Sequence, residues 1–161
     1  MSDKHFSSCE VVELGIQIEK NGKDFYGKLA RMAQSKQASE VFVYLSEEEE
    51  KHIDIFKDIF KASCRYEPSG AYPEDYFSYM NTLAGEYVFT RKDKGKEVAA
   101  GTKSDIEAVT LGIKLEEESV TFYENMKKIV SAGEAETIDK LIKEEESHIK
   151  KLTDLKKVLE S

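Results

Sequence analysis

The chain has 161 residues, a formal net charge of −8 and 35% charged residues. This length fits one domain with a substantial core, and we expect residues 1–161 to form it. The acidic balance argues against nucleic acid as a partner, because phosphate binding requires a concentrated basic face. Abundant Glu, Lys and Leu, with two prolines and no tryptophan, favour long helices over strands.

The two cysteines stand far apart in the sequence. Cys9 and Cys64 form no C-x-x-C pattern, which excludes a zinc knuckle or a rubredoxin-type iron site. We expect both to be thiols in a reducing cytosol. The N-terminus has no basic region followed by an apolar run, and no stretch approaches the roughly 18 apolar residues of a membrane span. The sequence therefore predicts a cytoplasmic protein with no membrane partner.

The first part of the chain predicts a helical hairpin over residues 7–63. Ser7 followed by Glu10 is the signature of a capping box, and a helical period runs from there to about residue 33. A second helical period covers residues 36–63.

A connection of residues 64–103 follows, which is too long for a simple turn. It can carry the chain back along a bundle. Residues 75–84 are a candidate short helix within it, and the basic tract 91–96 is expected to be a solvated loop. Ser104 and Glu107 form another capping box, which opens a second hairpin over residues 104–160.

Each hairpin carries the same pattern, one glutamate and then, on the next helix, Glu-x-x-His. The two copies lie about a hundred residues apart. All six side chains fall on the apolar stripe of their helices, where a carboxylate costs several kcal/mol unless it is paired or bound to a cation. The six residues are Glu19, Glu49 and His52 in the first copy and Glu116, Glu145 and His148 in the second.

The positions of these residues along their helices predict that all six lie at the same height in the bundle. In each hairpin the first glutamate lies about as far before the interhelical turn as Glu-x-x-His lies after it. Four carboxylates and two imidazoles are a ligand set suited to a pair of iron or manganese ions, whereas zinc prefers sulfur and nitrogen. Two metals roughly 3.5–4 Å apart can hold O₂ or peroxide between them.

Neighbouring residues leave two alternatives open. Glu48 and Glu144 stand four residues before each histidine and compete with Glu49 and Glu145, although the i, i+3 register favours the latter pair. Tyr26 and Tyr123 follow the first glutamate of each copy by seven residues, on the same helix face. We expect them to hydrogen-bond the ligands, the alternative being a role as radical carriers.

These motifs resemble the ferritin-like domain of the rubrerythrin family. The resemblance implies an all-α, ferritin-like four-helix bundle made of two helical hairpins joined by a long crossover. It implies that Glu49 and Glu145 bridge two iron ions, manganese or a mixed pair being possible. The terminal ligands that it implies are Glu19, His52, Glu116 and His148.

The resemblance also implies an activity. It suggests an oxidoreductase that reduces hydrogen peroxide or O₂, or oxidises Fe(II), in oxidative-stress defence. Because the chain carries no rubredoxin-like domain, we expect electrons from a separate donor protein such as a rubredoxin, and we expect a homodimer. The alternatives are a ferritin-type protein that binds or stores iron without fast turnover, and a non-catalytic helical scaffold.

The chain departs from the family pattern at one position. Typical rubrerythrins carry a further glutamate three residues after the glutamate of the third helix, and this chain has Ser119 there. The same offset in the first copy is Gly22. The departure leaves a more symmetric site of six ligands, closer to the pattern of ferritin or erythrin.

Overall fold

The structure is a computed structural model, and it describes residues 8–64 and 85–161. Five α-helices lie entirely within these ranges, and these residues form no strand. The predicted all-α bundle is confirmed. The helices are α1 (Ser8–Met32), α2 (Lys36–Ser63), α3 (Gly95–Ala100), α4 (Asp105–Met126) and α5 (Ala132–Glu160), with 3₁₀ turns at Val88–Thr90 and Lys127–Ile129.

The four long helices pack as two hairpins. The short turns after α1 and α4 make α1–α2 and α4–α5 neighbours, and the hairpins meet through α1 against α4 and α2 against α5. Asp105 at the start of α4 joins the hairpins, since its carboxylate accepts from the backbone N–H groups of Gln34 (3.0 Å) and Ser35 (2.9 Å). The bundle thereby places the middle of all four helices around one central point.

Serine side chains fix where helices begin. Ser104 Oγ accepts a hydrogen bond from the N–H of Glu107 (3.1 Å) at the start of α4. The carboxylate of Glu107 accepts from the N–H of Lys103 (3.3 Å), one residue before the position that a capping box requires. Ser35 caps α2 in the same manner. The Ser7 cap and the helix predicted over 75–84 lie outside the described residues.

The described end of the crossover is anchored on α1 through one buried amide. Asn21 Nδ2 donates to the carbonyl oxygens of Phe89 (2.7 Å) and Arg91 (2.6 Å). Its Oδ1 accepts from the N–H groups of Lys94 (3.0 Å) and Gly95 (3.1 Å). All four hydrogen-bonding positions of the amide are therefore used, which repays its burial.

Gly95 allows this close approach. A Cβ at this position would overlap the backbone carbonyl oxygen of Asn21, so the crossover can lie this close to α1 only with glycine there. The side chains of Arg91, Lys92 and Lys96 are exposed, as expected for the basic tract. The tract is nevertheless not a free loop, because its backbone is bonded to Asn21 and its last residues enter α3.

The prediction of two free thiols was wrong. Cys9 and Cys64 form a disulfide with a Cα–Cα distance of 4.7 Å. Their separation in sequence is 55 residues, but the hairpin returns the end of α2 to the start of α1. The cysteines therefore no longer support the prediction of a reducing compartment. Among the described helices, none combines the length and the apolarity that crossing a membrane requires.

Candidate metal centre

The six predicted ligands meet at the centre of the bundle, and each is almost completely buried. Their donor atoms form two groups, each with all ligand atoms within 4.8 Å of one another. The two groups share two members, Glu49 and Glu145. The first group is Glu19, Glu49, His52 and Glu145, and the second is Glu49, Glu116, Glu145 and His148.

The shared glutamates lie between the two histidines. Glu145 places one carboxylate oxygen 2.8 Å from Nδ1 of His52 and the other 3.1 Å from Nδ1 of His148. Glu49 is arranged similarly, with oxygens 3.9 Å and 3.6 Å from the same two nitrogen atoms. One oxygen directed toward each histidine is the arrangement that a carboxylate bridging two cations requires.

Glu19 and Glu116 each lie near one of the two histidines. An oxygen of Glu19 lies 3.6 Å from Nδ1 of His52, and an oxygen of Glu116 lies 3.7 Å from Nδ1 of His148. The imidazole rings stack at 5.5 Å between centroids with 14° between planes. Two equivalent half-sites result, each with one terminal carboxylate, one imidazole and a share of two carboxylates.

Two tyrosines hold the terminal glutamates in a crossed arrangement. Tyr26 on α1 donates to Glu116 on α4 (2.7 Å), and Tyr123 on α4 donates to Glu19 on α1 (2.8 Å). Burial and the adjacent glutamates raise the pKa of both hydroxyls well above their usual value. Both therefore remain protonated donors, as expected of residues that orient ligands.

The outward nitrogen of His52 is bonded as well. Its Nε2 lies 2.5 Å from a carboxylate oxygen of Glu144. Glu48, the corresponding residue of the first hairpin, is bonded to Lys51 (2.7 Å), although one of its oxygens also lies near both histidines. The two competing glutamates thus lie outside the two four-residue groups, and the geometry favours Glu49 and Glu145 as bridges.

The crowded charges of the cluster shift the pKa values of several of its side chains. Burial disfavours the charged imidazolium, but hydrogen bonds to neighbouring glutamates prevail and raise the pKa of His52 and of His148 to about 11. Burial and the charges of Glu116 and Glu19 raise the pKa of Glu145 well above its usual value. Such groups exchange protons for a metal ion on binding.

The residues present fit a pair of iron ions. One oxygen of Glu19 is buried and has no hydrogen-bond partner among the described residues, although Nδ1 of His52 lies 3.6 Å away. Hard carboxylate oxygens with one imidazole per half-site match the preference of iron or manganese. The chemistry of the donors and this oxygen fit bound cations.

The position of the additional family glutamate is filled by small residues. Ser119 Oγ donates to the carbonyl of Leu115 within its own helix (3.0 Å). A Cβ on Gly22 would lie 3.3 Å from the carboxyl carbon of Glu49. Neither Ser119 nor Gly22 therefore adds a carboxylate to the six-residue cluster.

The rubrerythrin family model matches residues 10–156. The chain belongs to the rubrerythrin family. A crystal structure of a Thermotoga maritima protein, described as ferritin-like and diiron-carboxylate, superposes on this rubrerythrin-family chain with a TM-score of 0.66. The two are 21% identical, and the match covers 97% of this chain and 98% of that one, which confirms the ferritin-like fold. No curated protein sequence matches the chain.

The sequence analysis did not identify the residues that join the crossover to α1. Asn21 and Phe89 were not predicted to have a role, because only the inward stripe of α1 was considered. Val11, Ile18 and Phe25, spaced by seven residues, form a second buried stripe on α1. This spacing was the available signal that another segment packs on that helix.

Proposed function

We propose that this rubrerythrin-family protein is a di-iron oxidoreductase that reduces hydrogen peroxide, or O₂, in oxidative-stress defence. The observation that supports it best is the pair of four-residue groups sharing Glu49 and Glu145. Sharing brings two cations close enough to act on one small molecule. The metal ligands in this proposal are Glu19, Glu49, His52, Glu116, Glu145 and His148.

Two bound Fe(II) ions would supply one electron each, so that H₂O₂ with two protons yields two water molecules and the iron becomes Fe(III). The protein provides the geometry for this reaction. Glu49 and Glu145 would hold both metals, because each belongs to both groups of donor atoms. Tyr26 and Tyr123 keep the terminal carboxylates in place and remain protonated. The surrounding apolar core excludes bulk water.

Electrons must return to the centre after each turnover. We propose a separate donor protein, such as a rubredoxin, in the cytoplasm, and a homodimer as the working form. The family membership supports redox partners in general. Each half-site would accept one electron from this donor protein, and the electron would pass through the buried interior of the bundle.

Anaerobic loading with Fe(II) tests the proposal. We expect two iron ions per chain, and we expect prompt growth of the near-ultraviolet absorbance of Fe(III) on addition of one equivalent of H₂O₂. Glu47→Ala, an exposed glutamate on α2, serves as the matched control and should behave like the unmodified chain. Failure to bind two metals, or oxidation no faster than that of free Fe(II), would refute the redox role.

Iron binding with Fe(II) oxidation is the second candidate. The observation that favours it is the symmetry of the site, in which Gly22 and Ser119 replace a seventh carboxylate. O₂ consumption with Fe(II) in large excess distinguishes the two functions. Continued consumption far beyond two iron ions per chain, together with a large assembly in light scattering, would favour storage. A dimer encloses too little space for a mineral core.

A further inference from the structure

A small cavity next to the carboxylate cluster is closed by the crossover. Its volume is about 10 Å³, close to the space that one water molecule requires. Glu49 and Glu116 reach it, and Gly22 and Ser119 form its sides. Phe89, which precedes α3 on the crossover, completes the wall, and neither histidine lines the cavity. A molecule entering here meets carboxylates of both half-sites without passing an imidazole.

Phe89 is buried and bonded in this position. It is 5% exposed, and its ring packs edge-on against Phe25 with 5.5 Å between centroids. Its carbonyl oxygen accepts the hydrogen bond from Asn21, which also binds the backbone at Gly95. The phenyl ring is therefore held as a wall of the cavity by its ring contact and by the bonds to its backbone.

The opposite wall is closely packed at Gly22. Gly22 already faces Glu49 at a distance where a single added carbon would be in tight contact. Ile18 and Leu115 supply further apolar lining. Tyr26 also lines the cavity, but its hydroxyl is bonded to Glu116, so Phe89 on the crossover is the large lining side chain without a bond to the cluster.

We propose that Phe89 is a specificity-determining residue that limits the oxidant to molecules of two heavy atoms and excludes alkyl hydroperoxides. The inference rests on the proposed function. Hydrogen peroxide exceeds a water molecule by one oxygen, which small shifts of the walls accommodate. A branched alkyl group adds several carbon atoms that would have to occupy the position of the phenyl ring.

The test compares H₂O₂ with tert-butyl hydroperoxide as oxidants of the Fe(II)-loaded full chain. We expect Phe89→Ala to raise the ratio of the tert-butyl hydroperoxide rate to the H₂O₂ rate by at least about tenfold. Phe89→Leu should give a smaller increase, and it keeps an apolar contact if the alanine variant fails to fold. Phe60→Ala, a partly buried phenylalanine on α2 that does not line the cavity, should leave the ratio unchanged.

Azide binding provides a readout that does not depend on turnover. Absorbance titration of the Fe(III)-loaded protein should show tighter azide binding in Phe89→Ala than in the unmodified chain, with Phe60→Ala again unchanged. Equal rates of the unmodified chain with both hydroperoxides would overturn the inference, as would an unchanged ratio and azide affinity in both Phe89 variants. If no oxidant reacts with any variant, the proposed function fails, whereas the azide titration still tests the role of Phe89.

Discussion

His52 and Glu144 are joined by a hydrogen bond of 2.5 Å that links α2 to α5 outside the carboxylate cluster. Because Nδ1 of the same ring faces Glu145, the bond through Nε2 fixes which nitrogen is directed inward. Glu48 holds the equivalent position in the first hairpin, but its carboxylate is bonded to Lys51. The two half-sites are therefore equivalent in their inner residues and different in this outer support.

Removal of the Glu144 carboxylate, which bonds His52 from outside the cluster, should weaken metal binding. We expect Glu144→Ala to lower the affinity of the site by about 10- to 100-fold, because the imidazole loses the acceptor that orients it. Glu144→Gln should restore part of the loss, since the amide oxygen still accepts. Competition with a chelator measures the effect, and Glu48→Ala is the matched control, expected to change the affinity less. Equal losses from Glu48→Ala and Glu144→Ala would contradict the asymmetry.

Removal of one inner residue should abolish the paired site. Glu49→Ala deletes a carboxylate shared by both groups, and His52→Ala deletes the imidazole of one half-site. We expect metal analysis after iron loading to fall from two ions per chain to one or none in each variant. A complete pair of metals in both variants would exclude the ligand assignment.

The metal-free protein should lose stability as the pH rises. The pKa values of His52 and His148 are raised from 6.5 to about 11 in the folded chain. Their stabilising contribution is therefore complete below pH 6.5 and is lost as the pH approaches 11. The raised pKa of Glu145 acts in the same direction. Urea unfolding of the metal-free protein across this interval should show a falling free energy of unfolding, and a rising one would refute the prediction.

Metal loading should remove much of this pH dependence. Ligation replaces the proton on each histidine, so binding at neutral pH should release protons, which a weakly buffered solution with an indicator dye detects. The matched control is Glu49→Ala, in which the release should be smaller because fewer metals bind.

The disulfide should contribute to the stability of the first hairpin. Cys9 and Cys64 close a loop with a sequence separation of 55, and loss of such a cross-link costs about 2–4 kcal/mol. We expect reductant to lower the free energy of unfolding of the natural chain by this amount. The double variant Cys9→Ser/Cys64→Ser should have the lower stability and no response to reductant. A response of both proteins, or of neither, would contradict the expectation.

The inner part of the site was predictable because its signals are local and repeated. A glutamate on an apolar stripe predicts which face of the helix points inward, and a Glu-x-x-His at the matching position of the next helix predicts the height along the bundle. The structure places Glu19 in one group with His52, and Glu116 in one group with His148. The predicted start and end of α2 were also correct, because Ser35 provides a side-chain cap before a strongly periodic segment.

The outer part was not predictable, since it depends on how separate segments meet. The bond between Asn21 and the backbone near Phe89 depends on where the crossover lies, which no period in the sequence specifies. The pairing of Cys9 with Cys64 likewise follows from the length of the hairpin and not from cysteine spacing. The bond between Glu144 and His52 also depends on the rotation of α5 against α2, which the sequence does not specify.

The crossed bonds of Tyr26 to Glu116 and Tyr123 to Glu19 make the two hairpins depend on each other. Each half of the sequence holds a tyrosine whose acceptor belongs to the other half, and each half-site draws ligands from both. A lone hairpin would leave both partners unmatched and would hold half of a centre. Neither hairpin of this chain therefore contains a complete half-site, and the metal centre depends on the docking of the two hairpins as much as on the fold of each.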